Sequence, residues 1–92
     1  MIPIRARDSF WGVVRDCLVT FHDVPAARAG RLCGQRRSEV ESRPRGVSRD
    51  IFYHNEPFDV ACDLAGKELD ITQFRGEYDR ILDENHQQPS RR

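Results

Sequence analysis

The 92-residue sequence predicts an all-α protein, a small bundle of about four helices. Three observations carry that expectation. Apolar residues recur at helical spacing, most cleanly at Phe10, Val13, Val14, Cys17, Leu18 and Phe21, which step i, i+3, i+4, i+7, i+8, i+11. No stretch alternates apolar and polar residues as a half-buried strand does. Start and stop signals, among them Pro25, Pro57, Gly66 and Asp70, cut the chain into segments of helical length.

Residues 1–7 read as an extended arm, with Asp8 or Ser9 capping the first helix. Phe10, Trp11 and Phe21 are expected in the core. Asp23-Val24-Pro25 ends this helix and opens a second, with proline early in the new one. The second helix turns Ala26, Ala29, Leu32, Cys33 and Val40 inward and Arg28, Arg31, Arg36 and Arg37 outward. Gly30 and Gly34 each cost about 1 kcal/mol in a helix interior, so Gly34 is a candidate break. Ser42-Arg43-Pro44-Arg45-Gly46 is a loop by composition.

Ser48 is placed to cap a short third helix, Arg49 to His54, that bends or stops at Pro57. The next segment has the clearest ends. A residue before proline is pushed away from helical angles, so Glu56 or Asn55 is the cap and Pro57 lies in the first turn. Gly66 stands where a left-handed stop residue belongs. Pro57, Val60, Ala61, Leu64 and Ala65 make its apolar face, widened by Phe58 and Cys62, and Glu56, Asp59 and Asp63 share the other side. For the last helix Asp70 is the cap, Gln73 completes a capping box, and Leu69 with Phe74 forms a hydrophobic staple. Ile71, Phe74, Tyr78, Ile81 and Leu82 are its buried face, and Arg75–Asp79 and Arg80–Glu84 are i, i+4 ion pairs. One domain is expected over residues 8–85, with residues 86–92 a disordered tail.

The net charge of zero hides a division. Residues 1–49 hold ten arginines against five acids, a net +5. Residues 50–90 hold three bases against ten acids, a net −7, and Arg91-Arg92 restore the balance. The halves can attract each other, or one half can attract a partner. Fourteen of the fifteen bases are arginine, which forks carboxylate and phosphate better than lysine does. A GC-rich coding sequence gives the same bias without any function. No apolar run approaches the ~20 residues of a membrane helix. The opening residues lack the apolar core of a secretory signal, so a cytoplasmic location is expected and no membrane partner.

Catalytic and ligand motifs are missing. Cys17, Cys33 and Cys62 are odd in number with no C-x-x-C pair, and read as reduced thiols packed as small hydrophobes. A zinc site from these and His22, His54 and His86 lacks paired ligand spacing. His54, Glu56, Asp59 and Asp63, with Asp50 before them, match no metal or acid–base motif. No catalytic residue, metal or cofactor is assigned, and the protein is expected not to be an enzyme. The expected function is binding of another protein with a basic surface, through Glu56, Asp59 and Asp63. The competing expectation is nucleic-acid binding through the arginine-rich segment 28–49.

Two resemblances bear on these alternatives. Ala29-Gly30-Arg31-Leu32-Cys33-Gly34-Gln35-Arg36-Arg37-Ser38-Glu39-Val40 resembles a helix-turn-helix, with glycine at the turn and valine on the second helix. That resemblance implies that Gln35, Arg36, Arg37 and Arg43 face DNA in the major groove, where arginine reads guanine. Pro44 leaves the second helix about two turns long. Ile51-Phe52-Tyr53-His54-Asn55-Glu56-Pro57-Phe58-Asp59-Val60-Ala61, then Leu64 and a final amphipathic helix, resembles small all-helical bacterial immunity proteins. In that family a Glu-Pro helix start introduces a core helix, and acidic surfaces block a toxin. The resemblance implies that Glu56, Asp59 and Asp63 face the partner.

Overall fold

The computed structural model describes residues 3–43 and 47–86, with the side chains of residues 47–49 outside that description. Residues 44–46 of the expected loop 42–46, and residues 87–92 of the expected tail 86–92, lie outside the described residues. Among the described residues five helices follow in order: α1 (Ile4–His22), α2 (Ala26–Glu41), α3 (Val47–Phe52), α4 (Pro57–Ala65) and α5 (Arg75–Glu84), with a 3-10 turn, Ile71–Phe74, leading into α5. Among the described residues there is no strand, and the all-α expectation holds.

α1 is the central helix and packs against α4, α2 and α5. Its predicted stripe is buried from Phe10 through Leu18, with Phe21 partly buried at the end. Two aromatic clusters mark its ends. Phe10 and Trp11 meet Phe52 and Tyr53, with Trp11 stacked on Phe52 at 5.6 Å, while Phe21 meets Phe58 and Phe74 at 5.5 and 5.1 Å. Cys17, Cys33 and Cys62, one each from α1, α2 and α4, are free and buried in the same core. A half-buried polar chain closes the first cluster. Trp11 Nε1 donates to the Tyr53 hydroxyl (3.1 Å), which donates to Glu41 (2.5 Å), and Arg7 donates to the other Glu41 oxygen (2.6 Å).

Several boundaries differ from the sequence expectation, each for a physical reason. The first helix starts at Ile4 with Pro3 as N-cap, so most of the expected arm is helical. The Pro3 carbonyl accepts the Arg7 N–H (3.1 Å), and the Arg7–Glu41 ion pair ties this first turn to α2. Asp8 and Ser9, the expected caps, are used elsewhere: Asp8 holds Arg37 at 2.7 Å and the Ser9 hydroxyl donates to the Asn85 carbonyl. α1 stops at Asp23 in the left-handed region (φ 55°), with the Val24 N–H returning to the Leu18 carbonyl.

α2 runs unbroken through Gly30 and Gly34. Burial of Ala29, Cys33 and Val40, together with ion pairs from Arg37 and Glu41 to α1, outweighs the cost of two exposed glycines. α3 begins at Val47, which puts Ser48 inside the helix and not at its cap, and it ends at Phe52 because Tyr53 and His54 already turn toward Pro57. α4 matches its expected ends, with Glu56 as N-cap, Pro57 in the first turn and Gly66 left-handed at φ 72°. At the last helix Asp70 does cap, accepting from the Thr72 N–H and hydroxyl (3.0 and 2.7 Å), but the turn it caps is 3-10 and α5 proper starts at Arg75. Arg75 pairs with Asp79 as expected, whereas Arg80 pairs back to Glu77 (3.9 Å) and not forward to Glu84.

Candidate functional site

The three acids expected to share a docking face occupy three different situations. Glu56 sits at the N-cap of α4, where a carboxylate suits the positive end of the helix. Its carboxylate accepts the hydroxyl proton of Tyr78 on α5, and the same hydroxyl oxygen accepts the Phe58 N–H at 3.2 Å. Tyr78 is fully buried. α4 is thus capped from another helix, and Glu56 belongs to the fold. Burial, then the Glu56 hydrogen bond and charge, push the Tyr78 phenol far above its ordinary range.

Asp63, at the far end of α4, is paired. Arg36 of α2 donates to it at 2.9 Å and lies 3.3 Å from Glu39 on its other side. Asp59, between Glu56 and Asp63 along the helix, is exposed. Partial burial, then the charges of Glu56 and Glu68, push its carboxyl above the ordinary aspartate value. Among the described residues neither Asp59 nor Glu68 has an ion-pair partner. Glu68 was absent from the sequence-derived site. The left-handed Gly66 turns the chain, a Leu69 backbone hydrogen bond reaches the Cys62 sulfur, and the charge of Glu68 acts on Asp59. Gly66 was the sequence signal for that turn.

The arginines proposed for nucleic acid do not share a face. Arg36 leaves α2 toward α4 and Arg37 leaves it toward Asp8 on α1, while the Arg43 guanidinium lies 5.8 Å from the Phe52 ring centre. Gln35 is exposed on the same continuous helix. Because α2 is one helix from Ala26 to Glu41, the turn that the helix-turn-helix resemblance needs at Gly34 is not formed. Arg28 and Arg31 are exposed on α2, with no ion pair among the described residues.

Residues considered for catalysis or metal binding are scattered. Burial pushes the Cys17 and Cys62 thiols up and Cys33 up to about 11, which leaves them protonated and poor nucleophiles near neutrality. Burial, then Lys67, lowers His22, and His54 is exposed in the turn after α3. Among the described residues no three His, Cys, Asp or Glu side chains converge to hold a metal ion. No described helix is long and apolar enough to cross a membrane. A hollow of about 670 Å³ lies between the start of α1 and the end of α5, lined by Arg5, Asp8, Ser9 and Glu84 among others. Comparison with protein families, with curated proteins and with solved structures found no match to this chain.

Proposed function

We propose that the protein is a non-catalytic helical module that binds another protein with a basic surface, through the face of α4 centred on Asp59 with Glu68 beside it. The observation that carries this reading is Asp59, exposed and with no ion-pair partner among the described residues. Partial burial, then the charges of Glu56 and Glu68, raise its carboxyl, and a cation from a partner relieves that. Asp63 is a secondary contact, because Arg36 already occupies it. Glu56 contributes field but is committed to Tyr78. The resemblance to immunity proteins supports the same class, an acidic helix face that caps a basic protein.

The test is a charge reversal confined to the two free acids. Asp59→Lys with Glu68→Lys should leave the circular dichroism spectrum unchanged. It should reduce affinity at least about ten-fold for a partner purified after capture by wild type, mainly through the association rate. Unchanged affinity refutes the proposed face. The nucleic-acid alternative now rests on Arg28 and Arg31. It calls for duplex binding that falls steeply with salt and is lost in Arg28→Glu with Arg31→Glu.

A further inference from the structure

The cleft between α2 and α4 holds two shallow hollows. One, about 170 Å³, is lined by Phe52, Asn55, Asp59 and Val60, and the other, about 210 Å³, by Leu32, Gln35, Glu39 and Leu64. Arg36 and Asp63 line both, so their ion pair stands as the wall between them. We propose that Arg36 is a built-in competitor for the partner's cation: it straps the cleft in the free protein, and an arginine side chain of the partner displaces it from Asp63.

The inference rests on the acidic-face reading above and adds to it the residue type recognised and a brake on recognition. Charge complementarity names the occupant. Asp59 and Asp63 lie one helical turn apart on the same side of α4, and Arg36 answers only the second. The apolar walls, Phe52, Val60, Leu32 and Leu64, suit the long stem and planar head of arginine better than a compact ammonium. The strap also has somewhere to go. Arg36 is already 3.3 Å from Glu39 on its own helix, so it keeps a carboxylate when Asp63 is taken. The bond it gives up is of the weak, solvent-screened kind, since the Asp63 side chain is 67% exposed. Removing Arg36 therefore opens the cleft without removing a support of the core.

The experiment uses the full chain and a fluorescein-labelled arginine–glycine repeat peptide, followed by anisotropy. Arg36→Gln should bind the peptide about five-fold tighter than wild type, the ceiling set by a surface ion pair. Arg31→Gln removes the same charge from the exposed face of α2 and controls for net charge. Asp59→Asn should weaken binding in both the wild-type and Arg36→Gln backgrounds. Arg36→Met, which keeps the aliphatic stem, serves as the second variant if Arg36→Gln melts early. Equal gains from Arg36→Gln and Arg31→Gln overturn the strap, because net charge then explains the effect. No gain from Arg36→Gln, with Asp59→Asn still weakening binding, overturns the strap and leaves the acidic face standing. Indifference to Asp59→Asn, or no binding by any variant, overturns both.

Discussion

Tyr78→Phe isolates the contact that joins α4 to α5. The substitution removes one oxygen and keeps the ring, so the Phe58–Tyr78 edge contact at 5.4 Å and the burial of the side chain persist. Two hydrogen bonds are lost. The Phe58 N–H, in the first turn of α4, loses its acceptor in a buried setting, which costs about 1–3 kcal/mol. The Glu56 carboxylate loses a donor but is only partly buried and recovers water, so its loss is the smaller. The net expectation is about 2 kcal/mol of destabilisation, a fall of roughly 8–16 °C in the melting temperature of a domain this size. Urea denaturation followed by far-ultraviolet circular dichroism measures it, and amide exchange at Phe58 locates it. The pH dependence gives an independent check. Because the folded phenol is raised above the ordinary tyrosine value of 10.0, its contribution is complete below that pH and is lost as pH rises above it. Wild type should therefore weaken in alkali more steeply than Tyr78→Phe. A midpoint change under about 0.5 kcal/mol, with Phe58 protection intact, refutes the interhelical cap.

Gly12→Ala should destabilise more than a surface substitution does, because the added Cβ overlaps the Asn85 carboxamide. That side chain is held by Asp16 and by the Ile81 carbonyl and cannot swing away freely; a neutral melting temperature counts against this packing. Thiol titration of Cys17, Cys33 and Cys62 should be slow in the folded protein and complete in denaturant, and rapid labelling of all three at neutral pH contradicts their burial. Asp70→Ala should lower the melting temperature at neutral pH. The Thr72 hydrogen bonds hold the Asp70 carboxyl below the ordinary aspartate value of 3.8, so wild type loses that advantage as pH falls through the folded value, and the two proteins converge in acid.

What was legible in the sequence was local. The pre-proline constraint narrowed the start of α4 to Asn55 or Glu56, the left-handed stop at Gly66 marked its end, and the stripe from Phe10 to Phe21 identified the central helix. Where local rules competed with distant contacts, the contacts won. Asp8 and Ser9 have the chemistry of caps, but their partners, Arg37 and Asn85, come from α2 and the end of α5. Gly34 has the chemistry of a turn, but Cys33 and Val40 are buried on either side of it and hold α2 straight. The spacing of Glu56, Asp59 and Asp63 was legible, yet their division into one structural acid, one paired acid and one acid without an ion-pair partner depends on Tyr78 and Arg36, which are 22 and 27 residues away in the chain from Glu56 and Asp63. Periodicity places a residue on a face and says nothing about what lies opposite.

The central claim is that Asp59 stands uncompensated on the acidic face and answers to a partner's cation. A carbon-detected NMR titration of the Asp59 carboxyl tests it directly. In the free protein it should titrate above the ordinary aspartate value of 3.8, held up by partial burial and by Glu56 and Glu68. It should fall when Glu68 is changed to Gln, and fall again when a basic partner binds. A value at or below 3.8 in the free protein means that Asp59 is already compensated, by a cation or by the positive end of α4, and contradicts the account.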